Sequence, residues 1–413
     1  MIKIYPTTFK GTLEAPASKA HAQRLLFASA LPNTATLVTN VPECEDINTT
    51  LQCLLDFGCT IEKHGETEIK VLPFAKTNPV PTADFNFRES GTTAHLAIPL
   101  AAAFGITANC KAAGNLIKRP LIPLSSRMAI RGVTFTGFNM PMTMKGMLQP
   151  GEYVFAGDEG SQYISGALMA LPLLRDDSVI KLSSPIVDPA FIEITIDTLK
   201  QFGITIEETE DGFEIPGKQI YQTPGKVETI TDWGLAAMWA CAGCLSRSDS
   251  DLVEVTGLDS SSPQLYRDFK SVMSLLCHDV KYLNIDANKS PNLACLYAIL
   301  AASKGSGLDI KGVPQLRYKE TNRMRAVAEC IKALGASANA TEDGIHIEEQ
   351  KAFDYAEGTK LNCMGDPWIF MSLALSAGCL PKPVILDDEH CADKIYKGFL
   401  KDYEALGGKY EIL

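Results

Sequence analysis

One local pattern recurs along this chain of 413 residues: an amphipathic helix ends in an apolar residue and glycine, and a short strand, a polar turn and a second strand follow. The three clearest copies end their helices at Gly58, Gly203 and Gly335. Glycine suits this position because a helix that leaves through a left-handed residue stops at least cost where no Cβ is present. Alternating residues in the strands give each strand one buried face. The pattern predicts a repeated α/β unit.

Three weaker copies extend the repeat. Two end at Gly132 and Gly408, and a third, SLLCHDVKYL near His278, has lost its glycine. A spacing of roughly 55 to 75 residues is long for a solenoid unit, which favours closed α/β arrays with three copies in each of two lobes. The alternative is an ordinary α/β protein in which helix–glycine–strand turns recur by coincidence.

A second class of helix lies between the clear copies. The segments HLAIPLAAAFG, ISGALMALPLL, LAAMWACAGCL and ACLYAILAASKG are apolar on nearly every side, which is typical of interior helices. The chain exceeds one ordinary domain, and 46% hydrophobic residues suffice for two sizeable cores. We therefore expect each lobe to hold buried helices inside a shell of outer helices and sheets.

Charge and hydropathy exclude several classes of partner. The formal net charge is -11, so a nucleic-acid partner would need a basic face that the sequence lacks. No run approaches the roughly 18 uncharged apolar residues of a membrane helix, and the opening MIKIYPTTFK lacks the features of a secretory signal. The twelve cysteines lie mostly in apolar stretches, as reduced core thiols do. We expect a cytoplasmic monomer that binds neither nucleic acid nor membrane.

Against this acidic background, cations lie beside predicted helix starts. Lys19 and Arg24 flank the first turns of a helix predicted to begin near His21. A helix N-terminus beside two fixed cations suits a phosphate or carboxylate. Residues 90–92 and 160–162 place glycine, hydroxyl and amide groups before apolar helices, where they can hold an oxyanion. Each of these segments alone is also compatible with a plain helix cap.

The segment QLRYKETNRMR gathers the most charge at one loop-to-helix junction. Arg317, Lys319, Arg323 and Arg325 surround one carboxylate, Glu320. That is more cationic charge than a solvated helix face requires. Arg323 beside an asparagine is typical of ligand binding, and Lys319 with Glu320 is typical of an acid–base pair. A small, highly charged anion is the expected ligand.

In order and spacing, these segments resemble the motifs of the enolpyruvyl transferases, and the resemblance spans nearly the whole chain. The matching motifs are Ser18-Lys19 with Arg24, Ser90-Gly91-Thr92, Arg119-Pro120, Ser161-Gln162-Tyr163, the run from Lys319 to Arg323, and Lys394 after a cysteine. Each motif is short, but together they are specific. The branch of the family that acts on shikimate 3-phosphate is the most similar.

The resemblance implies both a fold and a reaction. The fold is α/β, a two-domain inside-out α/β barrel built from six βαβαββ units, with 1–16 and 229–413 in one lobe and 17–228 in the other. The reaction transfers the enolpyruvyl group of phosphoenolpyruvate to the 5-hydroxyl of shikimate 3-phosphate, or to another small alcohol, and releases phosphate. It belongs to the shikimate pathway of aromatic amino-acid biosynthesis and needs no metal or organic cofactor.

The resemblance also assigns roles to residues. Four cations (Lys19, Arg119, Arg323, Lys394), helped by Gly91 and Thr92, are expected to bind phosphoenolpyruvate, and Lys319 with Glu320 to handle protons. The expected catalytic residues are Lys19, Asn292, Lys319 and Glu320. The expected substrate-binding residues are Ser18, Arg24, Gly91, Thr92, Arg119, Ser161, Gln162, Arg323, Asp366 and Lys394.

The sequence departs from the family inside the expected site. Single changes put Ala20 and Gly160 in place of hydroxyl residues, Glu89 in place of asparagine and His95 in place of arginine. The family's Ser-Lys-Pro-Tyr is replaced by the run from Asp188 to Phe191. Most of these changes fall on the acceptor half of the site, so the donor half is better kept.

Two departures weigh most. Asn292 stands where the family has the aspartate that takes the acceptor's proton, and Trp368 stands where it has the arginine of a D-H-R motif. An amide cannot act as a base, and tryptophan cannot bind a carboxylate as arginine does. Each lost charge-assisted hydrogen bond costs about 1.5 to 3 kcal/mol, roughly 10- to 150-fold in affinity or rate. Weakened turnover or a remodelled acceptor pocket is expected.

Two other functions stay open. Transfer to a UDP-sugar is disfavoured because Ala20 follows Lys19 and because Cys110 lies too far from Arg119. A non-catalytic descendant that binds anions would explain Asn292 and Trp368. Retained Lys319 and Glu320 argue against it, since a binder needs no acid–base pair.

Overall fold

The computed structural model describes residues 1–77, 79–244, 253–260, 262, 269–277, 280–350 and 353–413. The chain forms two compact units. The terminal unit comprises Met1–Pro16 and Thr231–Leu413, and the central unit comprises Ala17–Ile230. Each unit has its own hydrophobic core.

The strands are short. Within the described residues they are β1 (Ile2–Tyr5), β2 (Gly11–Glu14), β3 (Thr36–Thr39), β4 (Thr60–Lys63), β5 (Ile69–Leu72), β6 (Thr82–Asn86), β7 (Thr107–Lys111), β8 (Val133–Phe135), β9 (Met142–Gly146), β10 (Glu152–Phe155), β11 (Ser178–Leu182), β12 (Glu207–Thr209), β13 (Gly212–Ile215), β14 (Lys226–Glu228), β15 (Val253–Thr256), β16 (Tyr282–Asp286), β17 (Gly307–Lys311), β18 (Ala338–Ala340), β19 (Ile345–Ile347), β20 (Thr359–Leu361), β21 (Val384–Leu386) and β22 (Lys409–Ile412).

The α-helices in the same described ranges are α1 (Lys19–Ser29), α2 (Glu45–Asp56), α3 (Gly91–Ala103), α4 (Ile122–Ala129), α5 (Ser161–Ala170), α6 (Ala190–Gln201), α7 (Trp233–Cys244), α8 (Phe269–Cys277), α9 (Ala294–Lys304), α10 (Arg323–Ala333), α11 (Pro367–Leu375) and α12 (Phe399–Ala405). Short 3₁₀ helices cover Gly114–Lys118, Leu171–Leu173, Pro291–Leu293, Pro314–Tyr318, Ser376–Gly378 and Cys391–Lys394.

Within the described residues, five four-stranded sheets share one pairing pattern, in which the first two strands are parallel and the next two neighbouring pairs are antiparallel. In the sheet β6-β7-β9-β8, the first two strands run parallel, with α3 between them in the chain, and β9 pairs antiparallel with both β7 and β8. This is one βαβαββ unit. The same order recurs in β10-β11-β13-β12 and in β16-β17-β19-β18. The glycines that end the repeat helices, Gly58, Gly203 and Gly335, all have positive φ angles, as their role in stopping a helix requires.

Two sheets draw a strand from a distant part of the chain. β14 pairs parallel with β3 at the edge of the sheet β14-β3-β5-β4. In the sheet β20-β21-β1-β22, the first strand of the chain pairs antiparallel with β21 and β22. The repeat is therefore closed in each unit by residues that are remote in sequence.

The sixth unit is represented by β2, α7, β15 and α8, and β2 pairs parallel with β15. His278, near which the weakest copy was predicted, lies outside the described residues. The pattern predicted two strands joined by a turn after this helix. The structure instead has β16, which pairs parallel with β17 and begins the next unit. The predicted α/β fold of two domains built on a repeated unit is confirmed.

The predicted interior helices are buried. In the central unit, every residue of α5 except Gln162 is buried. Every residue of α3 is buried except Thr92 and Ala103, which are partly exposed. In the terminal unit, all nine residues of α11 and all of α9 except Lys304 are buried. The sheets alternate, with β6 and β16 each burying every second residue. Helices thus fill the inside of each unit, and the sheets present one face to solvent.

Close contact between α3 and α5 places their first turns side by side. A Cβ atom on Gly166 of α5 would collide with the backbone carbonyl oxygen of His95 on α3. The rings of His95 and Tyr163 pack edge to face with centroids 4.7 Å apart. The glycine therefore sets the distance at which Gly91 and Ser161, the first residues of the two helices, are held.

We expect Gly166→Ala to lower the free energy of unfolding by about 3 kcal/mol, because the new methyl group must displace backbone atoms in a close-packed core. Urea denaturation followed by circular dichroism measures the change. Gly137→Ala is the matched control, because its Cβ would meet its nearest neighbour at 3.7 Å, an ordinary contact distance. Equal stability of the two variants would contradict the prediction.

Candidate active site

The first cluster of the central unit forms at the start of α1. Ser18 is the N-cap residue and accepts a hydrogen bond from the backbone N–H of His21 at 3.4 Å. The helix begins at Lys19, two residues before the predicted start, because this cap precedes it. Lys19 Nζ lies 2.6 Å from Asp46 Oδ2, on α2. The lysine is thus held at a helix N-terminus with its charge balanced by a carboxylate.

His21 is buried beneath this helix start. Its Nδ1 accepts a hydrogen bond from the backbone N–H of Ile230 at 3.0 Å, so the neutral ring carries its proton on Nε2. Burial lowers the pKa of His21 to about 3, and the nearby charge of Arg24 acts in the same direction. The ring is therefore neutral throughout the physiological range.

Arg24 is enclosed by protein groups. Its side chain is 1% exposed. Nε lies 2.6 Å from Thr195 Oγ1, Nη1 lies 2.7 Å from the carbonyl oxygen of Ala20, and Nη2 lies 3.1 Å from Ser165 Oγ. Burial lowers the pKa of Arg24 to about 9, and the negative charge of Asp188 opposes that effect. The guanidinium ties α1 to α5 and α6.

The second cluster joins the first turns of α3 and α5. Arg119 Nη2 donates to Gln162 Oε1 at 3.0 Å, and Gln162 Nε2 donates to Thr92 Oγ1 at 2.8 Å. A Cβ atom on Gly91 would lie 2.6 Å from Arg119 Nη1, so only glycine leaves room for the guanidinium here. Ser161, the first residue of α5, is buried beside this chain of hydrogen bonds. The structure brings these five predicted residues together.

Arg119 retains an unused donor. Its Nε is buried and has no hydrogen-bond partner within the described part of the chain. A buried cationic N–H without a partner is costly. Ser90, the N-cap residue of α3, makes no side-chain cap bond to that helix. The first turn of α3 and the Arg119 guanidinium together form a site suited to an anion.

A buried polar network supports the start of α3, and sequence analysis missed it. Gln23 Nε2 lies 3.0 Å from Thr50 Oγ1, 3.2 Å from Ser90 Oγ and 3.0 Å from Thr93 Oγ1. The four side chains come from α1, α2 and α3. The one available signal was a glutamine within the apolar run AHAQRLLFA, whose burial implies a polar partner. Ser90 is positioned by Gln23 and by Thr93 of α3, whose Oγ1 lies 2.8 Å from Ser90 Oγ.

The cluster of the terminal unit surrounds Arg323, the first residue of α10. Its guanidinium donates through Nε to Asp366 Oδ2 at 2.8 Å, through Nη1 to Asn292 Oδ1 at 3.1 Å and through Nη2 to Glu320 Oε2 at 2.7 Å. Arg323 is 1% exposed and Asp366 is fully buried. Burial disfavours the charged guanidinium, but the Asp366 and Glu320 carboxylates outweigh it and raise the pKa of Arg323.

Glu320 links this arginine to a second cation. Its Oε1 lies 4.0 Å from Lys394 Nζ, and its side chain is 22% exposed. Lys394 is buried at the end of a 3₁₀ helix. Lys319, which precedes Glu320 in the chain, is the C-cap residue of another 3₁₀ helix. The structure thus brings three predicted residues, Asn292, Glu320 and Asp366, onto Arg323 and places Lys394 beside Glu320.

Asp366 is used twice by the protein. Besides pairing with Arg323, it is the N-cap residue of α11, and its Oδ1 accepts hydrogen bonds from the backbone N–H groups of Trp368 at 2.9 Å and Ile369 at 3.4 Å. Trp368 is buried in the core of the unit. Asp366 therefore positions Arg323 and starts a helix.

The described ranges contain no group of three or more His, Cys, Asp or Glu side chains arranged to hold a metal ion. They also contain no helix that is both long and apolar enough to cross a membrane.

Known proteins share this architecture. The solved structure of EPSP synthase from Acinetobacter baumannii has a TM-score of 0.79 at 19% identity and covers 100% of this chain and 99% of its own. The enolpyruvyl transferase NikO from Streptomyces tendae has a TM-score of 0.75 at 16% identity, covering 99% and 98%. The fold is thus one found among enolpyruvyl transferases.

Sequence comparison is more specific. A relative from Clostridium kluyveri named 3-phosphoshikimate 1-carboxyvinyltransferase is 28% identical over 429 residues, which cover 99% of this chain and 98% of that protein. A protein of the same name from Clostridium perfringens is 29% identical over 426 residues, covering 98% of each. The family model of EPSP synthase (3-phosphoshikimate 1-carboxyvinyltransferase) matches residues 5–403. The chain belongs to this family, and the predicted class of transferase is confirmed.

We expect Asp366→Asn to lower the free energy of unfolding by about 3 kcal/mol, because it leaves the buried Arg323 guanidinium short of a counter-charge. The amide keeps an oxygen for the helix cap, so the effect reports mainly on charge. Urea denaturation gives the measurement. Glu329→Gln, in an exposed pair with Lys332 at 3.1 Å, is the control and should cost less than about 0.5 kcal/mol. A loss below 1 kcal/mol for Asp366→Asn is roughly that of a surface ion pair. Such a result would contradict the role of Asp366 as the counter-charge of Arg323.

We expect His21 to make the protein less stable in acid. Its pKa of about 3 in the folded chain lies below the value of about 6.5 in the unfolded chain, so the unfolded chain binds the proton first as pH falls. Stability is retained above about pH 6.5 and declines toward pH 3, by at most about 1.4 kcal/mol per pH unit from this group.

Urea denaturation at several pH values between 7 and 4 tests this dependence in wild type, His21→Gln and His390→Gln. The His21→Gln variant should show a shallower decline because the titrating group is gone. The exposed His390 serves as the matched control and should leave the decline unchanged. Identical declines in all three proteins would exclude His21 as the source.

Proposed function

We propose that this chain transfers the enolpyruvyl group of phosphoenolpyruvate to the 5-hydroxyl of shikimate 3-phosphate and releases phosphate. Membership of the EPSP synthase family supports the reaction class. The observation that carries the proposal is the buried Nε of Arg119, a cationic donor with no partner among the described residues, beside Thr92 and Gln162 at the start of α3. Such a donor at a helix N-terminus selects an anion.

The donor half of the site is proposed to bind through charge. Lys19 and Arg119 each combine a cation with a helix N-terminus, and Gly91 and Thr92 offer backbone N–H groups at the first turn of α3. In the terminal unit, we propose that Arg323 and Lys394 are likewise anion-binding residues. The phosphate and carboxylate of phosphoenolpyruvate are small, planar or tetrahedral anions, which match these donors. Fixed donors of this kind stabilise charge that develops as phosphate leaves.

Proton transfer is proposed to use Glu320 and Lys319. Of the two carboxylates beside Arg323, Asp366 is fully buried with both oxygens bonded to protein, whereas Glu320 is 22% exposed. Glu320 is therefore the carboxylate that can exchange a proton with a ligand. Asn292 has no proton-accepting carboxylate and is bonded to Arg323, so we assign it to positioning that arginine.

The acceptor is proposed to lie near Ser18, Arg24, Ser161 and Gln162. The two compact units are proposed to be the two lobes of the enzyme. Action as a monomer in the cytoplasm also remains a proposal.

Transfer to a different alcohol is the second candidate. It is favoured by Asn292, because the oxygen at this position is bonded to Arg323 and cannot act as a base for the 5-hydroxyl. A phosphate-release assay with purified protein and phosphoenolpyruvate decides between the candidates. Release that depends on shikimate 3-phosphate supports the first, and release only with other alcohols supports the second. Calorimetric binding of phosphoenolpyruvate with no turnover of any acceptor would contradict both.

We expect Gly91→Ala to reduce kcat/KM for phosphoenolpyruvate about 10- to 100-fold, because the added methyl group displaces the Arg119 guanidinium from the start of α3. Arg119 Nη1 is the end of a flexible side chain, so the fold should survive. The phosphate-release assay measures the loss, and Gly137→Ala should retain wild-type kinetics. An unchanged kcat/KM in folded Gly91→Ala would remove Arg119 from the proposed donor site.

A further inference from the structure

We infer that His95 is a positioning residue for the anion bound at the start of α3. Its imidazole ring fixes the peptide group between Gly91 and Thr92, whose N–H is offered to the anion. Through its contact with Tyr163, the same ring holds the segment that carries Arg119. The inference rests on the proposed function, because it concerns the phosphoenolpyruvate half of the same site.

A hydrogen bond from His95 enters the first turn of α3. Its Nδ1 lies 2.5 Å from the backbone carbonyl oxygen of Gly91. A carbonyl oxygen can only accept a hydrogen bond, so Nδ1 carries a proton and is the donor. The residue is 1% exposed, and a hydrogen bond in such a place is strengthened by the low local dielectric. A histidine one turn into the helix therefore fixes the carbonyl group of the first helical residue.

This carbonyl belongs to the peptide group whose N–H is that of Thr92. The two ends of a peptide group are coupled, because a hydrogen bond accepted by the oxygen polarises the group and strengthens the bond that its N–H donates. N–H groups in the first turn of a helix lack partners within that helix, and Ser90 makes no side-chain cap bond here. The bond from His95 therefore improves a donor that the start of α3 offers to a phosphate or carboxylate.

A second contact joins His95 to the segment that carries Arg119. The rings of His95 and Tyr163 pack edge to face with centroids 4.7 Å apart. Tyr163 is 4% exposed, and its hydroxyl donates to the carbonyl oxygen of Pro120 at 3.2 Å. Arg119 directly precedes Pro120, and a Cβ atom on Gly91 would lie 2.6 Å from Arg119 Nη1. The contacts form one closed path: Gly91, His95, Tyr163, Pro120, Arg119 and Gly91 again.

The closed path keeps a cationic donor available to a ligand. Arg119 Nε is buried and has no hydrogen-bond partner among the described residues, and such a group lowers its energy by moving to an acceptor. The backbone beside it is held by Tyr163 and its Nη2 by Gln162. Arg119 Nε therefore stays at the start of α3, where an anion can satisfy it.

The first test compares His95→Leu with His95→Asn. Leucine is similar in size but has no N–H group, whereas the asparagine amide offers an N–H near the position of Nδ1. Calorimetry gives the Kd for phosphoenolpyruvate, and phosphate release gives kcat and KM. We expect His95→Leu to raise the Kd and KM for phosphoenolpyruvate about 3- to 10-fold, because one hydrogen bond is lost, and His95→Asn to stay within about twofold of wild type.

A purely structural role predicts a different pattern. If His95 only fills the core, the polar His95→Asn is the more damaging variant, and the KM rises for both substrates. Under the inference that order is reversed, and in His95→Leu both kcat and the KM for shikimate 3-phosphate stay within about twofold of wild type. His64→Leu is the matched control, because His64 is exposed in the same unit, and it should change neither constant. A wild-type Kd for phosphoenolpyruvate in folded His95→Leu would overturn the inference.

The second test removes the hydroxyl of Tyr163 and does not depend on turnover. Phenylglyoxal modifies arginine side chains, and mass spectrometry follows its reaction with Arg119 in wild type and in Tyr163→Phe. We expect Arg119 to react about 3- to 10-fold faster in the variant, because the bond that holds Pro120 is lost. Arg127, bonded to the carbonyl oxygen of Val154 at 2.8 Å, is the internal reference and should react at the same rate in both proteins. Equal rates for Arg119 would contradict the inference.

Failure of the proposed function gives a different result. In that case no acceptor supports phosphate release by the wild-type protein, and the Kd for phosphoenolpyruvate and the labelling of Arg119 are still measured. A Kd that rises in His95→Leu and is restored in His95→Asn supports the role of His95 even without turnover. Absence of phosphoenolpyruvate binding by the wild-type protein would overturn both the function and the inference.

Discussion

Burial of an arginine guanidinium is the interaction on which the cluster of each unit depends. Arg24 and Arg323 are each 1% exposed, and a guanidinium in that position is stable only when its charge and its N–H groups are matched. In the terminal unit the match comes from Asp366, Glu320 and Asn292. In the central unit two hydroxyls and a carbonyl oxygen accept the N–H groups of Arg24, and the negative charge of Asp188 favours its charged form. Each cluster is held in place by protein groups, and preorganised charge is the form most useful for catalysis.

The repeat explains why such arginines and lysines gather at helix starts. Each βαβαββ unit buries an apolar helix and delivers its first turn to the end of a sheet, as α3 and α5 show. Glycine at the points of closest approach, Gly91 and Gly166, lets these first turns lie near each other and near Arg119. Unsatisfied N–H groups are thereby concentrated in one place, and the anion-binding chemistry follows from the architecture.

The repeat and the cations beside helix starts can be predicted from the sequence because they are local signals: helix–glycine–strand turns recur, and charged residues at helix starts stand out in an acidic chain. Asn292 and Asp366 were predicted only through the resemblance to the family. The partners of those charges are not local. Gln23 on α1 contacts Thr50 on α2 and Ser90 and Thr93 at the start of α3, and Arg323 contacts Asp366, which is 43 positions away in the chain. Such pairings depend on tertiary packing, which periodicity does not encode. The prediction of two consecutive strands after His278 was wrong for a related reason. The first of them, β16, pairs with β17, and such pairing depends on the tertiary fold.

The departures from the family become intelligible once counter-charges are considered. Read from sequence, Asp188 adds a negative charge where a phosphate is expected to bind. In the fold, its charge acts on a cation that is already fully enclosed. Asn292 likewise removes a carboxylate from a cluster that already has two, Asp366 and Glu320, facing one arginine. One change adds a negative charge near Arg24, and the other removes one near Arg323. In both places the buried guanidinium still has a negative charge acting on it, so each departure is compatible with a buried cation in the folded chain.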